Sequence, residues 1–311
     1  MKFSASVVLA AALGASAHPS RVGHKHAHRS LAERQEFVKA VNPVTVTTTI
    51  TQGQVQAAAA PTAAPSSSSS SSSSATTTSS AAASSTSAAS SSGGSGQGIS
   101  AYTDFCSGNS KRATAAQIAY KGNTGTTSDY GCNMMLAQSS VAEEYDHVII
   151  LENASDDEQQ CVCFNKIGST GGINGFFTGN EALNFKLAAG ETQHVVVDSN
   201  SQGGCTCGAG EVTLTAFGEF ADTWLEFDMA NESNDGWSGA DASCLVSAAE
   251  GLNIPGLRVC DEANGSGTCS TINPGGTGTN AYLGGMEDLD GVGLNIPAGQ
   301  VRLYVTVGYS S

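Results

Sequence analysis

Apolar and polar residues alternate with a period of two in several stretches of the C-terminal two-thirds of this chain. Val301, Leu303, Val305 and Val307 alternate with Arg302, Tyr304 and Thr306; Leu225, Phe227 and Met229 with Trp224, Glu226 and Asp228; Val212 and Leu214 with Thr213 and Thr215. Successive side chains of a strand point to opposite faces, so each stretch predicts a strand with one face on a core. Asp146-His-Val-Ile-Ile-Leu-Glu152 and His194-Val-Val-Val-Asp198 are continuous apolar runs, which suits strands buried on both faces. Gly171-Gly172 and Gly275-Gly-Thr-Gly278 supply turns. One helix is predicted where Ser238 and Asp241 form a capping box, Leu245, Val246 and Ala249 an apolar stripe, and Gly251 a stop; a second is predicted near Ala113 to Tyr120. The pattern therefore predicts a mainly β domain, an antiparallel β-sandwich or barrel-like fold with one or two short helices.

Before residue 99 this pattern fails. From Ser66 to Gly98, 22 of 33 residues are Ser or Thr, which cannot bury enough apolar surface to offset the entropy of ordering. Residues 57–98 read as a disordered, low-complexity linker, a Ser-rich stalk open to O-glycosylation, and residues 18–56 as a mostly disordered pro-segment. At the very start, Lys2, the apolar run Val7 to Leu13 and Ala15-Ser16-Ala17 form a secretory signal peptide over residues 1–17. Cleavage there would make His18 the N-terminus, a residue able to bind copper through its ring and free amine. The long coreless segment between His18 and the domain argues against such a site. The folding unit is then residues 99–311, expected to be secreted, extracellular and associated with the cell wall.

The charge divides in the same way. The chain of 311 residues has a formal charge of −15, yet residues 1–98 hold 6 basic and 2 acidic residues and residues 99–311 hold 7 basic and 26 acidic, a net of −19. An acidic domain has no cationic footprint for phosphates, which excludes nucleic acid and disfavours an anionic membrane surface. A monomer is expected.

All nine Cys lie in the domain, which in a secreted chain indicates disulfides. Cys161-Val-Cys163 and Cys205-Thr-Cys207 place two thiols each on one face of a strand. Two antiparallel strands in one register would pair Cys161 with Cys207 and Cys163 with Cys205. Sequence alone does not fix the connectivity; Cys106 with Cys132 and Cys260 with Cys269 offer local pairs, which would leave Cys244 over, either buried and free beside the apolar stripe, the favoured state, or paired to another molecule.

Candidate chemistry is densest from Asp222 to Ser243. If residues 223–229 form a strand, Glu226 and Asp228 project from one face with Cβ atoms about 6.5–7 Å apart, near the spacing of the acid and base of inverting glycoside hydrolases. Trp224, Trp237, Asp235 and Asp241 complete a set suited to glycan contact: indoles to stack on sugar faces and carboxylates to accept from hydroxyls. Acidic residues alternating outward on a strand also read as a plain solvated face without a ligand; beside that stand noncatalytic contact with cell-wall polysaccharide and, as the alternative, a glycoside hydrolase using Glu226 and Asp228. Other templates are missing. There is no G-x-S-x-G, H-E-x-x-H or Gly-rich phosphate loop, and His147 and His194 read as structural. Asp156-Asp157-Glu158 and Glu287-Asp288-Leu-Asp290 do not have the calcium-loop spacing and read as exposed turns. No metal and no cofactor are expected. Asn153, Asn231 and Asn264 each begin an Asn-x-Ser acceptor for N-glycans, and Lys111-Arg112 is a dibasic pair open to secretory proteases.

Three segments carry a family resemblance: KRATAAQIAYKGNTGTTSDYGCN (Lys111 to Asn133), TWLEFDMANESNDGWSGADASCLVSAAEGLNIPGLRVC (Thr223 to Cys260) and CSTINPGGTGTNAYLGGMEDLDGVGLNIPAGQVRLYVTVG (Cys269 to Gly308). Together they resemble the Asp f 4-like family of secreted fungal allergens, over essentially all of residues 101–309. The resemblance implies a secreted fungal protein bound by host IgE in sensitised individuals, with no established enzymatic activity. The Gly236-Trp-Ser-Gly239 neighbourhood and the acidic β-rich domain are also similar to fungal SUN-type and thaumatin-like cell-wall proteins, which implies β-glucan as a ligand.

Overall fold

The computed structural model describes residues 96–108, 122–126, 128–262, 267–289 and 291–310. The signal peptide, the pro-segment, almost all of the Ser-rich stretch, the helix expected near Ala113 to Tyr120, Lys111-Arg112 and Asn264 lie outside the described residues.

Two β-sheets pack face to face. The first runs in the order β13 (Gly278–Thr279), β12 (Cys269–Ile272), β11 (Leu257–Asp261), β15 (Val301–Val307), β4 (His147–Asn153), β7 (Thr192–Val197) and β3 (Met134–Ala137). The second runs β14 (Leu294–Ile296), β10 (Trp237–Ser243), β9 (Trp224–Asn231), β8 (Ser201–Ala209), β5 (Gln159–Asn165) and β6 (Glu181–Leu187). A small hairpin, β1 (Gly125–Thr126) and β2 (Asp129–Tyr130), stands apart from both sheets, and two short helices, α1 (Ser139–Ala142) and α2 (Leu245–Glu250), complete the described elements with two 3-10 turns.

The alternating positions build the core between the sheets. Val301, Leu303, Val305 and Val307 of β15 meet Leu225, Phe227 and Met229 of β9, with Ile149 and Leu151 of β4 and Val195 and Val197 of β7 beside them. Each such side chain, fully buried, contributes about 1.5–3 kcal/mol of transfer free energy. The continuous apolar runs are indeed covered on both faces, since Val148 and Val196 pack outward under Val141, Ala142 and Tyr145. A third cluster, Val162, Phe164, Phe176, Phe220, Ala221, Trp224 and Val246, seals part of the outer face of the six-stranded sheet.

The cysteine ladder closes as the register argument requires. β5 and β8 pair Cys161 with Cys207 and Cys163 with Cys205, and both pairs are disulfides. Cys106–Cys132 and Cys260–Cys269 are also bridged, and Cys244 is free and buried.

Three features depart from expectation. β15 runs parallel to β4, from Val301 opposite His147 to Val307 opposite Asn153, whereas the other pairings among the named strands are antiparallel. Val212 to Thr215 is not a strand: Leu214 makes one isolated bridge to Phe220 and is 43% exposed. The Asp222 carboxylate instead accepts from the Thr213 main-chain N–H at 2.8 Å and from its hydroxyl at 2.7 Å, which folds this stretch back on itself. Ser238 and Asp241 do not cap a helix, because Trp237–Ser243 is strand β10, paired on both sides with β9 and β14. Two ladders satisfy more main-chain groups than one capping box, and the small Ala240 and Ala242 let the strand sit close over the core. The helix itself forms later, at Leu245, with Cys244 at its N-cap and Gly251 ending it at φ 64°.

Candidate functional site

β9 presents its odd residues to the core and Trp224, Glu226 and Asp228 to the opposite face. Each has fixed cross-strand neighbours. Glu226 lies between Gly204 of β8 and Asp241 of β10, and Asp228 between Gln202 and Gly239. Directly opposed residues in an antiparallel pair have Cβ atoms about 4.5–5.5 Å apart. The closest carboxylate neighbour of Glu226 is therefore Asp241 across the ladder, ahead of Asp228 along the strand. A side chain at Gly204 has no room: an added Cβ would come within 2.7 Å of the Leu225 carbonyl oxygen and 2.9 Å of Phe164 Cζ, whose ring lies over it.

Burial separates the three carboxylates. Asp241 is 0% exposed, while Glu226 and Asp228 are half-buried. Burial and then the neighbouring Glu226 charge hold the Asp241 carboxyl well above the usual carboxylate range. Burial pushes Asp228 up to about 6, against the opposing pull of Asn231, Lys166 and Gln202. Its Oδ2 accepts from Asn231 Nδ2 at 2.5 Å. Asp222, buried at the foot of the same strand, is also raised by burial despite its two bonds from Thr213. A buried carboxyl in register with a like charge favours its neutral form, so in the pair of Asp241 and half-buried Glu226 the proton is held more tightly at Asp241 than in water.

The two tryptophans part company. Trp224 is 3% exposed, its Nε1 donates to the Ala221 carbonyl at 3.0 Å, and its ring meets Phe164 edge-on at 4.9 Å. It is a core residue and offers no face to a ligand. Trp237 is half-buried at the start of β10, and Asp235 is exposed beside it in the left-handed turn after the 3-10 segment Glu232–Asn234. The outer face thus unites Glu226, Asp228 and Asp241, with Trp237 and Asp235 on the connecting turn of the same hairpin.

Two acceptor asparagines are likewise internal. Asn153 is 0% exposed, and its Nδ2 donates to the carbonyls of Asp157 and Leu187 at 2.8 and 3.0 Å. Asn231 is 2% exposed, its Nδ2 held by Asp228. In both, Oδ1 accepts from the main-chain N–H and the hydroxyl of the Ser two residues on, so each Asn-x-Ser is an Asx turn. His147 is buried with its pKa lowered by desolvation, partly offset by its bond to the Val197 carbonyl, and desolvation lowers His194 as well. Burial pushes the Cys244 thiol up.

The chain matches the Allergen Asp f 4-like domain over residues 132–307, a stretch that takes in both sheets and the whole carboxylate face. It belongs to the Asp f 4-like allergen family. Allergen Asp f 4 of Aspergillus fumigatus is 34% identical to it over 204 residues, covering 65% of this chain and 62% of that protein's length. Among solved structures, the protein elicitor MoHrip2 from Magnaporthe oryzae aligns with a TM-score of 0.32 at 14% identity, over 52% of this chain and 99% of that one. The thaumatin-like xylanase inhibitor TLXI aligns with a TM-score of 0.31 at 9% identity, over 51% and 97%. The Asp f 4-like match begins at Cys132, so the segment from Tyr102 to Cys106 lies outside it.

Sequence reasoning identified the strand face but placed Asp241 at a helix cap. It also passed over a cleft lined by Tyr102, Asp104, Tyr145, Asp146, His147 and Asp198, among others, at one end of the seven-stranded sheet. Those residues come from three distant segments with no shared motif, and only the pairing of His147 with Val197 brings two of the segments together.

Proposed function

We propose that this Asp f 4-like chain acts outside the cell as a noncatalytic protein that contacts cell-wall polysaccharide, β-glucan in particular, through the outer face of its six-stranded sheet, and that host IgE recognises it in sensitised individuals. The observation that carries the reading is the half-buried pair Glu226 and Asp228 on that face, flanked in register by Asp241, Gln202 and two glycines. Glu226, half-buried on that face, can accept hydrogen bonds from sugar hydroxyls. The signal peptide and the four disulfides support an extracellular setting. Retention on insoluble β-1,3-glucan, with chitin and cellulose in parallel, tests it. The full chain should be held on the glucan and a Glu226→Gln/Asp228→Asn variant released; no retention on any of the three polymers overturns the reading.

One observation favours a hydrolytic alternative. Asp228, raised to about 6, is suited to donate a proton to a glycosidic oxygen while Glu226, on the same strand face, acts as base. That reading requires soluble oligosaccharides to appear from glucan and to disappear in Glu226→Gln with the far-UV spectrum unchanged. Release that survives Glu226→Gln excludes it.

A further inference from the structure

Three of the four disulfides lie inside β-ladders. Cys161 opposes Cys207, Cys163 opposes Cys205 and Cys260 opposes Cys269, each in register between hydrogen-bonded strands. If such a bridge is reduced, the ladder holds the two thiols face to face at high effective concentration, and it recloses. These bridges are also withdrawn from solvent: all six residues are at most 5% exposed except Cys269, which is half-buried.

The fourth bridge is built differently. Cys106 sits in the 3-10 turn Phe105–Gly108 and Cys132 in the turn that leads into β3, and among the described residues no strand pairing or main-chain hydrogen bond joins the two turns. Both residues are half-buried. Cys106 also has a φ of 58°, in the left-handed region where a side chain crowds the backbone, so opening the bridge frees it to leave a disfavoured conformation. Each end is fastened without the bridge. On the Cys106 side the Tyr145 hydroxyl donates to the Thr103 carbonyl at 2.6 Å and accepts from the Thr103 N–H at 3.0 Å, and Phe105 meets the Tyr145 ring edge-on at 5.3 Å. On the Cys132 side the Gly131 N–H donates to the Thr124 carbonyl at 2.9 Å, and Asn133 Nδ2 donates to Asn165 Oδ1 at 2.8 Å and to Ser201 Oγ at 2.9 Å. Opening the bridge therefore leaves both sheets and both anchors in place.

We propose that Cys106–Cys132 is a thiol-exchange site, a bridge that a small thiol opens reversibly in the folded protein. A thiolate attacks one of its sulfurs, forming a mixed disulfide and expelling the other Cys as a thiolate, which takes up a proton. A second thiol attacks the mixed disulfide, so the protein gains two thiols and the reductant leaves as its own disulfide. The exchange opens a covalent loop closed across 26 positions. It leaves intact the three bridges that lie wholly inside the Asp f 4-like match, which begins at Cys132. In the reduced form the turn at Cys106 is held to the sheet by non-covalent contacts alone.

Incubating the full oxidised chain in buffers of graded ratio of reduced to oxidised glutathione tests the proposal, with free thiols trapped by N-ethylmaleimide and located by peptide mass spectrometry. Cys244, free and buried, reports unfolding if it is labelled. Cys106 and Cys132 should be labelled at a ratio at least about tenfold lower than any other bridge requires, with Cys244 unlabelled and the far-UV spectrum unchanged. Return to oxidised glutathione should reclose the bridge. In Cys132→Ser the Cys106 thiol should take up one glutathione from glutathione disulfide. Opening of another bridge at the same or a lower ratio, labelling of Cys106 and Cys132 only together with Cys244, or a Cys132→Ser chain that folds but takes up no glutathione overturns the proposal.

Discussion

At the scale of single residues, Asp241 and the two buried asparagines carry the most specific consequences. Asp241 is fully buried in register with Glu226, and its carboxyl is raised. A carboxyl whose folded pKa lies above its unfolded value adds stability that is fully present below the unfolded pKa and is lost as pH rises through the folded one. Asn has the shape of the protonated acid and cannot ionise. Asp241→Asn should therefore raise Tm at pH 7, by roughly 2–4 °C if it recovers 1 kcal/mol in a domain of this size, and change it little at pH 3; an equal gain at both pH values would show that charge is not the cause. The asparagines predict a modification pattern. Nδ2 of Asn153 and of Asn231 is already committed, to the Asp157 and Leu187 carbonyls and to Asp228, so peptides spanning them should show no enzymatic deglycosylation scar in mass spectra of the protein expressed through a secretory pathway. Occupancy at either site would mean that the turn does not form as described.

At the scale of elements, the two bridges between β5 and β8 should act as one. Cys161–Cys207 and Cys163–Cys205 close loops of 46 and 42 residues, one nested in the other. Either alone removes nearly all the loop entropy of the unfolded chain, about 4 kcal/mol, and the second has little left to remove. Urea unfolding should show Cys161→Ala/Cys207→Ala costing less than half as much as removal of all four Cys; two equal, additive losses would contradict the nesting. This ladder was legible in the sequence because strand parity and a single register relate the two C-x-C units without any tertiary information. The alternation in β15 and β9 was legible for the same reason. β10 was not: WSGADAS has no β-branched residue, its small Ala240 and Ala242 carry no outward sign of burial, and Ser238 with Asp241 mimics a cap. Its state is decided by β9 and β14 on either side, as is common where propensity is weak. The parallel pairing of β15 with β4 and the cleft beside Tyr102 also depend on contacts between distant segments that leave no local pattern. Within the site, Glu226 and Asp228 could be read from period two alone, whereas the burial of Trp224 depended on Phe164, Phe176 and Phe220 arriving from other elements.

At the scale of the whole molecule, the buried titratable groups oppose one another, and their pKa shifts decide where stability peaks. Asp222, Asp228 and Asp241 are raised, so each disfavours the folded state progressively as pH rises above the unfolded carboxylate value. For Asp228 that loss runs from about 4 to about 6; for Asp241, also raised, it runs in the same direction. His147 and His194 are lowered, so they act in the other direction: the unfolded chain takes up their protons first, and stability falls as pH drops below about 6.5. Between pH 4 and 6.5 the two sets oppose each other. Above about 6.5 the histidines have finished titrating, so what remains is the raised Asp241 carboxyl beside Glu226 and the overall repulsion of a chain whose formal charge is −15. The stability gained by Asp241→Asn over the wild-type chain should therefore be larger at pH 8 than at pH 4. Added salt should recover the part due to overall repulsion, because exposed charges are screened, but not the part due to Asp241, which is buried. Urea midpoints from pH 4 to pH 8 at two salt concentrations separate the contributions: a salt-independent difference between the wild-type chain and Asp241→Asn that grows with pH assigns it to the carboxylate pair, and a difference that is the same at every pH refutes a raised Asp241 carboxyl.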